Sequence, residues 1–131
     1  KNGHGTHTSS TAAGNIVSGA SYYGLATGTA KGGSPESRLA IYKVCSNNGC
    51  SGASILAAFD DAISDGVNVL SLSLGDPPNL KPDLTSDVIA IGAFHAVERG
   101  IIVVCAAGNF GPEKSTVVND APWILTGAAT T

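Results

Sequence analysis

Ile101-Ile102-Val103-Val104-Cys105-Ala106-Ala107-Gly108-Asn109 is the stretch that decides the fold. Four β-branched residues run straight into Cys-Ala-Ala with no polar alternation, and Gly-Asn ends the run. A strand that is apolar on both sides suits a sheet covered on both faces. Thr85 to Arg99, just before it, predicts a helix, with Val88, Ile89, Ala93 and Val97 apolar and Gly100 behind. Val67 to Leu74 predicts a second strand, ended by Gly75-Asp76-Pro77-Pro78. Ser51 to Asp65 predicts another helix. Ile55, Phe59 and Ile63 fall on one face at spacing four, and Gly66 is the stop. Trp123 to Ala129 and Arg38 to Val44 complete the strand candidates. Strands alternating with helices predict an α/β chain with a mainly parallel sheet. Towards the N-terminus, His4 to Ala13 predicts a helix broken by Gly14-Asn15. Residues 15–37, punctuated by Gly19, Gly24, Gly28, Gly32, Gly33 and Pro35, read as loop.

The 131 residues suit a single domain. Hydrophobic residues make up 43% and charged residues 13%, about half the usual charged share, which excludes intrinsic disorder. The formal net charge is -3, without a basic stripe, so no nucleic-acid partner is expected. No apolar run is long enough to predict a membrane-spanning helix. The chain contains no Met and stops directly after an apolar run, so a piece of a longer polypeptide is expected.

Cys45 and Cys50 lie five apart around the turn-rich Ser46-Asn47-Asn48-Gly49. A local disulfide and a pair of free thiols are both open. No second Cys or His pair stands at zinc-ligand spacing. Cys105, within the apolar strand, reads as a buried small hydrophobe.

Three motifs could carry chemistry. In Gly3-His4-Gly5-Thr6-His7-Thr8, glycines clear space around an imidazole. That suits a general base, or simply a surface or capping histidine. The strand 67–74 exits through Ser73-Leu74-Gly75, where parallel sheets bind ligands and where an extended peptide could pair with an edge; it could also be an ordinary strand end. Ala106-Ala107-Gly108-Asn109-Phe110-Gly111-Pro112 puts an Asn amide between glycines at a strand's carboxyl end. Such a neutral donor suits an oxyanion hole, or a plain turn.

Taken together and in this order, the three motifs resemble the subtilisin-like serine proteases (subtilases). Further stretches resemble the plant, cucumisin-like branch: Ser9 to Asn15, Tyr42-Lys43-Val44-Cys45, Ile55 to Ile63, Ile89 to Ala96, and Ala121-Pro122-Trp123-Ile124-Leu125. The resemblance covers essentially the whole chain. It implies a three-layer α/β fold with a mainly parallel sheet flanked by helices, here incomplete. Residues 1–131 would be the central part of the catalytic domain of a serine endopeptidase.

Residue by residue, His4 would be the triad base and Asn109 the oxyanion donor. Ser73, Leu74 and Gly75 would pair with substrate, and Ala106, Ala107 and Gly108 would line the opposite wall of the specificity pocket. His7 would be structural, and His95 would pack on its helix or sit at the surface. The family's triad Asp lies before the histidine motif, yet only Lys1-Asn2-Gly3 precede His4. Its nucleophile lies in a Gly-Thr-Ser-Met-Ala-like motif, and no serine here, including Ser9, Ser10, Ser71 and Ser73, has that setting. These residues alone therefore hold one triad member and the oxyanion donor.

The resemblance implies a peptide or protein substrate, the remainder of the catalytic domain as partner, an extracellular location and no cofactor. No acidic loop predicts calcium, and no Asn-x-Ser/Thr acceptor is present. The alternative is a catalytically inactive fragment acting as a peptide-binding or inhibitory module. A nucleotide-binding α/β domain fails for want of a phosphate loop.

Overall fold

The structure is a computed structural model and describes residues 3–129. They divide into two units, Lys1–Ile41 and Tyr42–Thr131.

The first unit opens with α1, His4–Ala13, as the sequence predicts. Gly3 precedes it with φ 72, and the His7 N–H donates to the Gly3 carbonyl at 3.0 Å. The helix has a weak apolar stripe and four consecutive hydroxyl residues. Thr8 and Ser9 donate to the Gly5 carbonyl, and Ser10 and Thr11 to the His7 carbonyl. Such back-bonding does little for helix stability. The far end is held from outside. The N–H groups of Gly32, Gly33 and Ser34 donate to the carbonyls of Gly14, Thr11 and Ala12, each at 2.9 Å. These bonds satisfy carbonyls that a helix end leaves orphaned. Gly32 sits so close that a β-carbon there would strike Gly14 N and lie 2.8 Å from Ser10 O.

Residues 15–37 correct the expected loop. They contain an antiparallel hairpin of β1, Val17–Tyr22, and β2, Leu25–Ala30. Tyr23 (φ 48) and Gly24 (φ 84) make its two-residue turn, which needs positive φ at both positions. Gly19 (φ 72) and Ala26 (φ 50) fall where the register shifts. Gly19 and Gly24, read as punctuation, thus serve a ladder irregularity and the turn.

The second correction concerns Arg38 to Val44, which forms no strand. A strand exists only through a partner's hydrogen bonds, and none of the described residues pairs with this segment. Leu39 and Ile41 are accordingly exposed.

In the second unit, Cys45 and Cys50 are disulfide-bonded, which settles the open cysteine reading. They clip the two-residue ladder of β3, Cys45–Ser46, and β4, Gly49–Cys50. Helix α2, Gly52–Asp65, follows Ser51 and stops at Gly66 (φ 70). The Gly66 and Val67 N–H groups donate back to the Ile63 and Ala62 carbonyls, a glycine-terminated helix end. Helix α3, Val88–Glu98, begins three residues later than expected because Asp87 caps it. Asp87 Oδ1 accepts from the Ile89 and Ala90 N–H groups at 2.8 and 3.3 Å.

The sheet is parallel in the order β5-β6-β7, formed by Val69–Leu72, Ile102–Ala106 and Leu125–Gly127. Val103 and Cys105 point to the helical side and join Ile55, Phe59, Ile89, Ala93, Ala96 and Ile101 in the core. Ile102 and Leu125, on the other face, are exposed. Among the described residues the helical cover therefore lies on one face of a parallel α/β sheet. Trp123 completes the packing: its indole N–H donates to the Ala90 carbonyl at 2.8 Å, and its ring meets Phe94 edge-on.

Candidate active site

The predicted site residues fall in both units. His4 is the first residue of α1, exposed, directly after the left-handed Gly3. Gly3 and Gly5 have open space where a side chain would project, so the imidazole has room on both sides. His7 is exposed further along α1. His95 lies in the second unit on the surface of α3, with Nδ1 3.1 Å from Glu98 Oε2. That is the surface alternative of its two readings.

The other candidates gather at the carboxyl ends of β5 and β6, where parallel sheets present their ligands. The β5–β6 ladder ends at Leu72 and Cys105. Beyond it, Ser73 and Gly75 are exposed while Leu74 is half-buried against the core. On the neighbouring strand Ala107 is buried, and Gly108 (φ 92) turns the chain so that Asn109 emerges exposed. Among the described residues none hydrogen-bonds the Asn109 amide. An exposed, uncommitted carboxamide at a strand exit can donate to a charge developing on a ligand.

Asn119 was not foreseen from sequence. It is 5% exposed and left-handed (φ 55). Its Nδ2 donates to the carbonyls of both Leu74 and Ala106, each at 2.9 Å. Thr126 Oγ1 donates to the Asn119 carbonyl, bringing in β7. The neighbouring Val118 N–H donates to the Ala107 carbonyl, and the Ala107 N–H to the Gly127 carbonyl. Carbonyls near the end of a ladder need donors, and Val118 and Asn119 supply them. Two asparagines ten residues apart therefore differ in chemistry: one amide is free to face solvent, and the other has both its N–H donors spent on the scaffold. The sequence offered one weak signal, an Asn that tolerates the left-handed region, inside Val117-Val118-Asn119-Asp120.

Asp120 extends this segment's ties outward, accepting from Lys81 Nζ at 2.6 Å in a partly exposed ion pair. Cys105 lies under the site in the core, and burial, with the nearby Asp87 carboxylate, pushes its thiol up to about 12. It is a packing residue and not a nucleophile. Among the described residues no cluster of His, Cys, Asp and Glu could hold a metal ion, and no helix is long and apolar enough to cross a membrane.

Comparison with known proteins identifies the family. A "CO(2)-response secreted protease" of Arabidopsis thaliana is 67% identical over 129 residues, which are 98% of this chain and 17% of that protein. "Subtilisin-like protease SBT5.1" of the same plant is 61% identical over 130 residues, 98% of this chain and 16% of that protein. The chain thus spans about a sixth of the length of these relatives. Among solved structures, Sphericase superposes with a TM-score of 0.66 at 29% identity, covering 98% of this chain and 39% of that one. The sequence model of the subtilase family matches residues 1–130, and the chain belongs to that family.

Proposed function

We propose that residues 1–131 are the central part of the catalytic domain of a subtilisin-like serine endopeptidase of the plant, cucumisin-like branch. The observation that carries the reading is the pairing of an uncommitted Asn109 amide with the Ser73-Leu74-Gly75 exit on adjacent strands of one parallel sheet. Family membership and the protease names of its relatives support it.

In this reading a peptide substrate lies along Ser73, Leu74 and Gly75, pairing through main-chain hydrogen bonds. Ala106, Ala107 and Gly108 form the facing wall, and their small side chains leave room for the residue before the scissile bond. His4 takes the proton of a serine hydroxyl supplied by the remainder of the catalytic domain. The serine oxygen bonds to the scissile carbonyl carbon, and Asn109 donates to the resulting oxyanion. His4 then delivers its proton to the leaving amine as the carbon–nitrogen bond breaks. Water repeats the sequence on the acyl-enzyme and frees the acid. An aspartate, also from the remainder of the domain, orients the imidazole.

An extracellular location is supported by the Cys45–Cys50 disulfide, a bond that persists in oxidising compartments, and by a relative named as secreted. The test is labelling of the whole protein that carries this chain with a serine-directed fluorophosphonate, read by intact mass. One adduct per molecule, lost in a His4→Ala variant, is the expected result. A protein that stays unlabelled while folded sinks the reading.

A further inference from the structure

We infer that Asn119 is a positioning residue that fixes the separation between the Ser73–Gly75 segment and the Ala106–Gly108 wall, and through it selects the side chain accepted before the scissile bond. This inference rests on the protease reading above.

The regular ladder between the two strands stops at Leu72 and Cys105. From there the separation of the walls is no longer set by backbone pairing, and a side-chain amide takes over. One Nδ2 carries two hydrogens, and both are used, on Leu74 O and Ala106 O at 2.9 Å each. With two carbonyls as partners the amide can face them only with its nitrogen. A single planar group reaching both strands fixes how far apart they stand.

The amide is itself held in place. Burial and the left-handed backbone leave it little freedom, and Thr126 anchors its carbonyl. Glycines stand where the walls approach this segment most closely. A β-carbon at Gly75 would lie 2.9 Å from Asn119 Nδ2, and one at Gly108 would lie 3.1 Å from Val118 Cγ2. The 118–119 segment therefore bears on both walls at once. Asn119 touches no substrate in this arrangement; it acts through the walls it ties.

The experiment uses the whole protein with Asn119→Gly, which deletes the amide and suits the positive φ. A mixture of peptides differing only in the residue before the scissile bond is digested, and product ratios are measured. Ratios are independent of how much enzyme folds, and fluorophosphonate titration counts the active sites. Freed walls should part, so cleavage after bulky side chains should rise about tenfold relative to small ones, with KM moving more than kcat. Asn119→Asp, which presents oxygens to the same carbonyls, should also shift the ratio, and protonation at lower pH should partly restore it. An unchanged ratio in both variants overturns the inference, however many active sites are lost. Absence of labelling in the unaltered protein overturns the protease reading instead, and this inference falls with it.

Discussion

Gly92 of α3 lies directly against the ring of Phe59 in α2: a β-carbon at Gly92 would fall 2.7 Å from Cε2 and closer still to Cδ2. The two helices meet at this point, and Phe59 is 4% exposed, so the ring has nowhere to retreat. Gly92→Ala should therefore destabilise by about 1–3 kcal/mol, although alanine is the better helix former. Thermal unfolding of the whole protein checks this. A rise in midpoint would mean that the helices slide apart without loss.

Asp87 is buried to 8% exposure with its carboxylate on two backbone N–H groups at the start of α3. Asp87→Ala should cost about 1–2 kcal/mol, because both donors would be left buried without an acceptor. Asp87→Asn keeps the accepting oxygen and should recover most of the loss. Denaturant midpoints of the two variants separate the hydrogen bonds from the charge.

Cys105 gives a pH dependence of known sign. Its thiol is held neutral, with the folded-state value raised from 9.0 to about 12 by burial first and Asp87 second. A group raised by folding contributes stability that is complete below about pH 9 and is lost as pH rises towards 12. The alkaline fall in unfolding midpoint between pH 8 and pH 11 should be shallower in Cys105→Ala than in the unaltered protein. The native thiol should resist a disulfide reagent at pH 8 and react on unfolding. Rapid labelling of the folded protein would contradict the buried position.

Periodicity in the sequence made α2, α3 and β6 legible. Ile55 and Phe59 share a face, Gly66 ends the helix, and Ile101 to Ala107 is a continuous apolar run. The same reasoning hid the 17–30 hairpin, because Gly19 and Gly24 look like loop when their role is positive φ at a ladder irregularity and at the turn, and Gly28 simply pairs with Ala20. It overstated Arg38 to Val44, whose strand character needs a partner that local sequence cannot display. At the candidate site the strand exits and Asn109 were legible as motifs. Asn119 was not, because its partners Leu74 and Ala106 lie 45 and 13 residues away and nothing in its neighbours announces them.

The Cys45–Cys50 bridge closes a very short loop, with a sequence separation of 5. Chain-entropy stabilisation grows with the logarithm of loop length, which gives roughly 2 kcal/mol here. Reduction should therefore lower the unfolding midpoint modestly and leave fluorophosphonate labelling intact. Thermal scans with and without a thiol reductant test it. Loss of labelling on reduction would mean that the clip positions the site and does more than tie the chain ahead of α2.

Asn109 and Asn119 together allow the sharpest separation of chemistry from scaffold. Asn109 is exposed with an uncommitted amide, so Asn109→Ala removes nothing that holds the fold. If its amide stabilises the oxyanion, kcat should fall about 10²–10³-fold with KM and unfolding midpoint nearly unchanged, the magnitude known for subtilisin, a relative. Asn119 supports both strand exits, so its loss should alter KM, preference and stability together. Peptidase kinetics and thermal unfolding of both variants, made in the whole protein, decide the matter. A kcat unaffected by Asn109→Ala would remove that residue from the oxyanion hole, whatever Asn119 does. Equal losses of stability in the two variants would mean that the Asn109 amide is engaged by residues outside this chain.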